Sequence, residues 1–135
     1  MEKSDLPKLL RTLENALDRF DEALAPDIAQ NSLALDAAIQ RFEFAFEFCW
    51  KVLKRVLRIE GIETRTPRSV FKEAFKLEWL KEGDEFWQKM IEDRNETSHT
   101  YDQKKALEIY SHLLPYSKAY RQLLSFLKQK YLVKS

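Results

Sequence analysis

The chain has 135 residues, enough for one packed core but not comfortably for two, so a single domain over 1–135 is expected. Its one cysteine, Cys49, excludes an internal disulfide, and its hydrophobic share of 44% includes no uncharged run long enough to span a bilayer. A net charge of +1 conceals an uneven layout: no acid follows Glu108, whereas Lys118, Arg121, Lys128, Lys130 and Lys134 do, an end suited to phosphate or an acidic partner, or else to a solvated helix face.

With two glycines and four prolines, turn material is scarce, and the pattern is one of long helices rather than alternating strands. The first helix is expected from about Pro7 to Leu24, burying Leu9, Leu10, Leu13, Leu17, Phe20 and Leu24, with Pro26 ending it. The second begins between Asp27 and Ser32 and runs to about Glu60, where Gly61 supplies the helix-ending conformation. Leu35, Ala38, Phe42, Ala45, Phe46, Cys49, Leu53 and Val56 fall on one wide face of it. Phe44 and Phe48 point the other way, towards a second apolar neighbour that is either another protomer or the rest of the bundle.

Thr66-Pro67 announces a third helix, with Val70, Phe71, Ala74, Phe75 and Leu77 on its apolar side. The Gly83-Asp84 pair breaks the chain and caps a fourth helix from Phe86 to about Ser98, which carries Phe86, Trp87, Met90 and Ile91 inward. Asp102 caps the last helix, from about Gln103 to Tyr131, with a kink expected near Ser111 to Pro115. The expected architecture is an all-α, antiparallel up-and-down bundle of about five helices. No N-terminal leader is evident, and together with the lone cysteine this points to a cytoplasmic, membrane-free protein.

No glycine-rich phosphate loop, zinc-type Cys/His set, nucleophile elbow or Glu-x-x-His pair is present, so neither a metal nor a cofactor is expected. Chemistry-bearing side chains gather instead in Arg94-Asn95-Glu96-Thr97-Ser98-His99-Thr100-Tyr101. An imidazole can take the proton of a ribose 2′-hydroxyl or return one to the leaving oxygen, and a guanidinium can stabilise charge on a phosphorane. Asn95, Ser98 and Thr97 could hold the imidazole tautomer or the phosphate. On a continuous helix Arg94 and His99 diverge by about 140°, so cooperation needs a bend near Thr97-Ser98 or a second copy of the chain. On spacing alone, the same residues read more readily as surface and capping groups.

The segment Arg94 to Tyr101 resembles the R-x(4)-H-x-Y signature of the HEPN superfamily, and most closely its branch of nucleotidyltransferase substrate-binding proteins and HepT-like toxins. Gln40-Arg41-Phe42-Glu43 leading to Trp50-Lys51 resembles that branch too, as does Thr66-Pro67-Arg68 followed by Phe71-Lys72-Glu73-Ala74-Phe75. The resemblance implies a helical bundle that pairs into a homodimer, with two motif copies facing each other across a basic cleft. It further implies a metal-independent endoribonuclease with Arg94 and His99 as catalytic pair, and a minimal nucleotidyltransferase (MntA-like) partner that adenylylates Tyr101 as the antitoxin of a toxin–antitoxin pair. The alternative is a non-catalytic substrate-binding subunit in which Arg94 and His99 grip a nucleotide or phosphate. A purely structural bundle is the third possibility.

Overall fold

The computed structural model describes residues 5–24 and 31–132, and within them every regular element is helical. Five α-helices follow in order: α1 Leu6–Glu22, α2 Ser32–Ile59, α3 Pro67–Lys76, α4 Asp84–Glu96 and α5 Gln103–Tyr131, with a short 3-10 turn, Thr97–His99, between the last two. The expected bundle of five is therefore found. Pro26 and Asp27, expected to stop α1 and to offer an early start to α2, lie outside the described residues.

The local signals act as their chemistry requires. Asn31 caps α2, its side-chain oxygen accepting from the backbone N–H of Leu33 and Ala34 at 3.0 and 3.2 Å. Thr66 caps α3 reciprocally with Ser69, and Pro67 occupies the first turn, where its missing N–H costs nothing. Gly61 ends α2 at φ +87°, and Ile62 N–H reaches back to the Leu57 carbonyl at 2.8 Å. At the start of α4 the cap is Gly83 itself rather than Asp84, which instead sits with Glu85 in the first turn, near the positive end of the helix dipole. Pro115 does not divide α5: the helix runs on through it.

Contacts between side chains give the directions. Asp18 and Asp21 of α1 meet Arg121 while Glu14 meets Lys128, so α1 and α5 are antiparallel. Phe20 packs on Phe42 while Arg55 pairs with Asp5, so α1 and α2 are antiparallel as well. Asp93 meets His112 while Trp87 meets Tyr120, which sets α4 antiparallel to α5. The four longer helices thus alternate up and down, with the short α3 bracing α2 and α4.

The core is aromatic. Phe42 stacks on Tyr116 with centroids 5.6 Å apart, Phe46 leans on Phe71, and Phe71 stacks on Trp87 at 5.0 Å. All eight residues expected on the wide face of α2 are buried. Two of the residues assigned to the apolar side of α3, Phe75 and Leu77, are exposed instead, because that ten-residue helix buries only Val70, Phe71 and Ala74 against its neighbours. Phe44 and Phe48 are 45% and 40% exposed and line a groove between α1 and α2 with Ala16, Arg19 and Arg41.

The basic end of the chain is mostly engaged inside the bundle. Arg121 forks onto Asp18 and Asp21, Lys128 pairs with Glu14 at 2.8 Å, and Lys130 lies over the rings of Trp79 and Tyr131. These three residues are thus matched within the chain, by carboxylates or aromatic rings. Cys49 is buried, and burial pushes its thiol well above the ordinary range, which leaves it a structural group.

Candidate functional site at the junction of α4 and α5

Three hydroxyls shape this junction. Thr97 Oγ lies 2.7 Å from the Arg94 carbonyl oxygen, Ser98 Oγ 3.4 Å from that of Asn95, and Thr100 Oγ 3.1 Å from that of Thr97. Hydroxyls returning to carbonyls three residues back satisfy the acceptors an ending helix leaves open, and the chain tightens into its 3-10 turn. Asp102 then accepts from the Lys104 N–H at 3.0 Å and starts α5. The bend anticipated at Thr97-Ser98 is present.

Thr97 is also the anchor to α2. Its Oγ stands 2.7 Å from Glu43 Oε2 as well as from the Arg94 carbonyl, so its single proton serves one of two acceptors at a time. One helical turn along α2, Glu47 Oε2 lies 3.8 Å from Arg94 Nε and accepts from Trp50 Nε1 at 3.3 Å. Arg94 Nε is itself buried and lacks a hydrogen-bond partner among the described residues, so its link to Glu47 is an ion pair without a closed hydrogen bond.

His99 faces elsewhere. Its Nε2 is 3.8 Å from Glu96 Oε2, and its ring meets Tyr101 edge-on at 6.0 Å. Tyr101 is 85% exposed. Asn95 and Ser98 are both exposed; Asn95 lines an open groove between α4 and α5 with Lys89, Glu96 and Lys105. Within one chain, then, the motif is gathered at one end of the bundle, but no hydrogen bond or ion pair among the described residues joins Arg94 to His99. The bend alone does not bring them into contact. No group of three or more metal-binding side chains occurs among the described residues.

Sequence alone assigns no role to Glu47, Asp93 and His112, and Glu43 enters there only within the family resemblance. Glu43 and Glu47 are marked by their four-residue spacing at the edge of the buried face of α2. Asp93 is marked more plainly: it stands three residues after Met90 and seven after Phe86, an acid inside an apolar stripe, and it is 3% exposed.

Residues 8–129 match the family model described as "Nucleotidyltransferase substrate binding protein like". The chain belongs to this family. It is 33% identical over 110 residues to a Haemophilus influenzae protein named "Probable ribonuclease HepT", covering 78% of this chain and 74% of that one. A crystal structure from Thermus thermophilus superposes with a TM-score of 0.81 at 36% identity, covering 86% of this chain and 98% of the other. A second structure, from Haemophilus influenzae and described as revealing the fold of a substrate-binding domain of a nucleotidyltransferase, gives 0.67 at 29% identity, covering 94% and 99%. The resemblance of the motif to the HEPN superfamily's nucleotidyltransferase substrate-binding and HepT-like branch is thus matched by the whole chain and its fold. No described helix is long and apolar enough to cross a membrane.

Proposed function

We propose that this family member is a HepT-like, metal-independent endoribonuclease that acts as a homodimer and is silenced by a minimal nucleotidyltransferase (MntA-like) partner. The observation that carries this reading is the placement of the motif: Arg94 beside Glu47, an exposed His99 and an almost fully exposed Tyr101 at one end of the bundle, in a chain 33% identical to a probable ribonuclease. In the proposed reaction His99 takes the proton of a ribose 2′-hydroxyl as its oxygen attacks phosphorus. The 5′-oxygen of the next nucleotide leaves and accepts a proton, giving a 2′,3′-cyclic phosphate and a 5′-hydroxyl end. Arg94 supplies forked donors to the phosphorane oxygens, with Asn95 and Ser98 supporting from the exposed side.

Because Arg94 and His99 do not touch within one chain, the second copy is an integral part of the proposal. Exposed Phe44 and Phe48 sit beside Glu47 on α2, which pairs with Arg94, so an apolar face adjoins the motif and suits a twofold contact. Adenylylation of the exposed Tyr101 would place a bulky nucleotide and a negative phosphate beside His99, blocking an RNA phosphate by sterics and repulsion. The direct test incubates purified protein with RNA in the presence of chelator, against His99→Ala and Arg94→Ala. Loss of cleavage in both variants is expected; equal, negligible cleavage by all three proteins removes the proposal.

One observation favours a second reading. Arg94 and His99 each have a carboxylate beside them in the single chain, Glu47 and Glu96 respectively, and one structural relative is described as a nucleotidyltransferase's substrate-binding domain. A binding subunit without catalysis would form a stable complex with its nucleotidyltransferase and show no toxicity when expressed alone.

A further inference from the structure

Asp93 is a carboxylate buried on the apolar side of α4, and such a group persists only where strong donors satisfy it. Both donors come from α5, one turn apart: His112 Nδ1 at 2.8 Å and the Tyr116 hydroxyl at 2.5 Å, each to Asp93 Oδ2. Lys89 Nζ stands 3.8 Å from the other oxygen. Burial, and then the Asp93 charge, push the Tyr116 phenol far above its ordinary range, so it remains a donor. With the carboxylate accepting from both, His112 carries its proton on Nδ1.

Asp93 and Arg94 are successive residues, and the 100° step between them turns one towards α5 and the other towards Glu47 of α2. Three residues later Thr97 ties the chain to Glu43. Arg94 therefore leaves the helix between two fixed points. We propose that Asp93, His112 and Tyr116 are positioning residues that fix the rotation of the last turn of α4 and so aim the Arg94 guanidinium. The inference rests on Arg94 acting on phosphate, as proposed above. At about 6 Å from the helix axis, a rotation of about 10° carries a side-chain group about 1 Å. A misplacement of that size costs on the order of a hundredfold in rate.

The test compares His112→Ala, His112→Asn and Tyr116→Phe with wild type and with Arg121→Ala, which cuts the links from α5 to Asp18 and Asp21 of α1. Asparagine places an amide N–H near the position of Nδ1 but has no counterpart of Nε2. The first readout is hydrogen exchange at Arg94 Nε–H followed by NMR, which requires no activity. Exchange should rise by about tenfold or more in His112→Ala, return close to wild type in His112→Asn, rise to a lesser degree in Tyr116→Phe, and stay unchanged in Arg121→Ala. Unchanged exchange in His112→Ala, or an equal rise in Arg121→Ala, overturns the proposal. Should His112→Ala fail to fold, Tyr116→Phe decides the same question, and unchanged exchange there overturns it. The second readout is RNA cleavage under chelator: kcat should fall about a hundredfold in His112→Ala with KM little changed, and recover in His112→Asn. An equal loss in both variants would assign the role to Nε2 and overturn positioning. If wild type cleaves no RNA, the ribonuclease reading falls, while the exchange result still decides whether these residues aim Arg94.

Discussion

Replacing Thr97 by valine keeps its shape and β-branching but deletes the hydroxyl that joins the turn Thr97–His99 to α2. The lost interaction is a 2.7 Å bond to a carboxylate, and charge-assisted bonds are worth about 1.5–3 kcal/mol. Glu43 is only partly buried and regains water once released, so the lower end of that range applies and about 1.5 kcal/mol is expected. With about 2.1 cal/mol/K of unfolding entropy per residue over 135 residues, the midpoint should fall by about 5 °C. Because the hydroxyl also serves the Arg94 carbonyl, the single variant alone does not isolate the α2 link. A double-mutant cycle with Glu43→Ala does, by urea unfolding at one fixed protein concentration so that any self-association is held constant. A coupling energy of about 1 kcal/mol is expected. Strict additivity, within about 0.3 kcal/mol, would show that the turn is not anchored to α2 and would remove the basis for a pre-set Arg94.

Gly61→Ala should destabilise by about 1 kcal/mol although an added Cβ meets nothing, since the cost lies wholly in φ +87°; no change in the urea midpoint would contradict it. Tyr120→Phe should stabilise by about 1 kcal/mol, because its buried hydroxyl has no partner among the described residues while the ring contacts to Phe20 and Trp87 remain; a lowered midpoint would reveal a partner for that oxygen. The phenols of Tyr116, Tyr120 and Tyr131 are all held above the ordinary value of 10, first by burial. The folded chain therefore keeps protons that the unfolded chain releases above pH 10, so their contribution is complete below pH 10 and declines as pH rises beyond it. Urea midpoints that stay flat from pH 9 to about 11.5 would contradict this.

Helix boundaries were readable wherever a side chain supplies the boundary chemistry. Thr66-Pro67, Gly61 and Asp102 each act where their type predicts, and the periodicity of α2 places all eight inward residues. Periodicity over-assigned α3, because an apolar stripe on a short helix says nothing of how far its neighbour extends, and Phe75 and Leu77 lie beyond that reach. α5 spans Gln103–Tyr131 as expected, with Pro115 inside it; His112 before the proline is tied to Asp93 and Arg121 after it to Asp21. The site was legible as a motif and illegible as a geometry. Nothing in the spacing of residues 94 to 101 reveals that Arg94 turns to Glu47, a partner set by how α2 and α4 pack, whereas the pairing of His99 with Glu96 three residues back is local.

The strengths of these contacts divide the site into a firm part and a yielding part. Asp93 is held by two short bonds from α5 and Thr97 stands at bonding distance from Glu43, so the backbone on either side of Arg94 is fixed. The Arg94 and His99 side chains themselves are held loosely: Arg94 meets Glu47, and His99 meets Glu96, each at 3.8 Å, with all four side chains about one-third exposed or more. Partly exposed pairs of this kind are worth about 0–1 kcal/mol. A phosphate that accepts forked hydrogen bonds can displace such carboxylates at little cost, whereas it could not displace the bonds that set the direction of Arg94. A bundle built only for stability would have no use for this division. The proposed ribonuclease site, exchanging a resident carboxylate for an RNA phosphate while keeping its donors aimed, would need it.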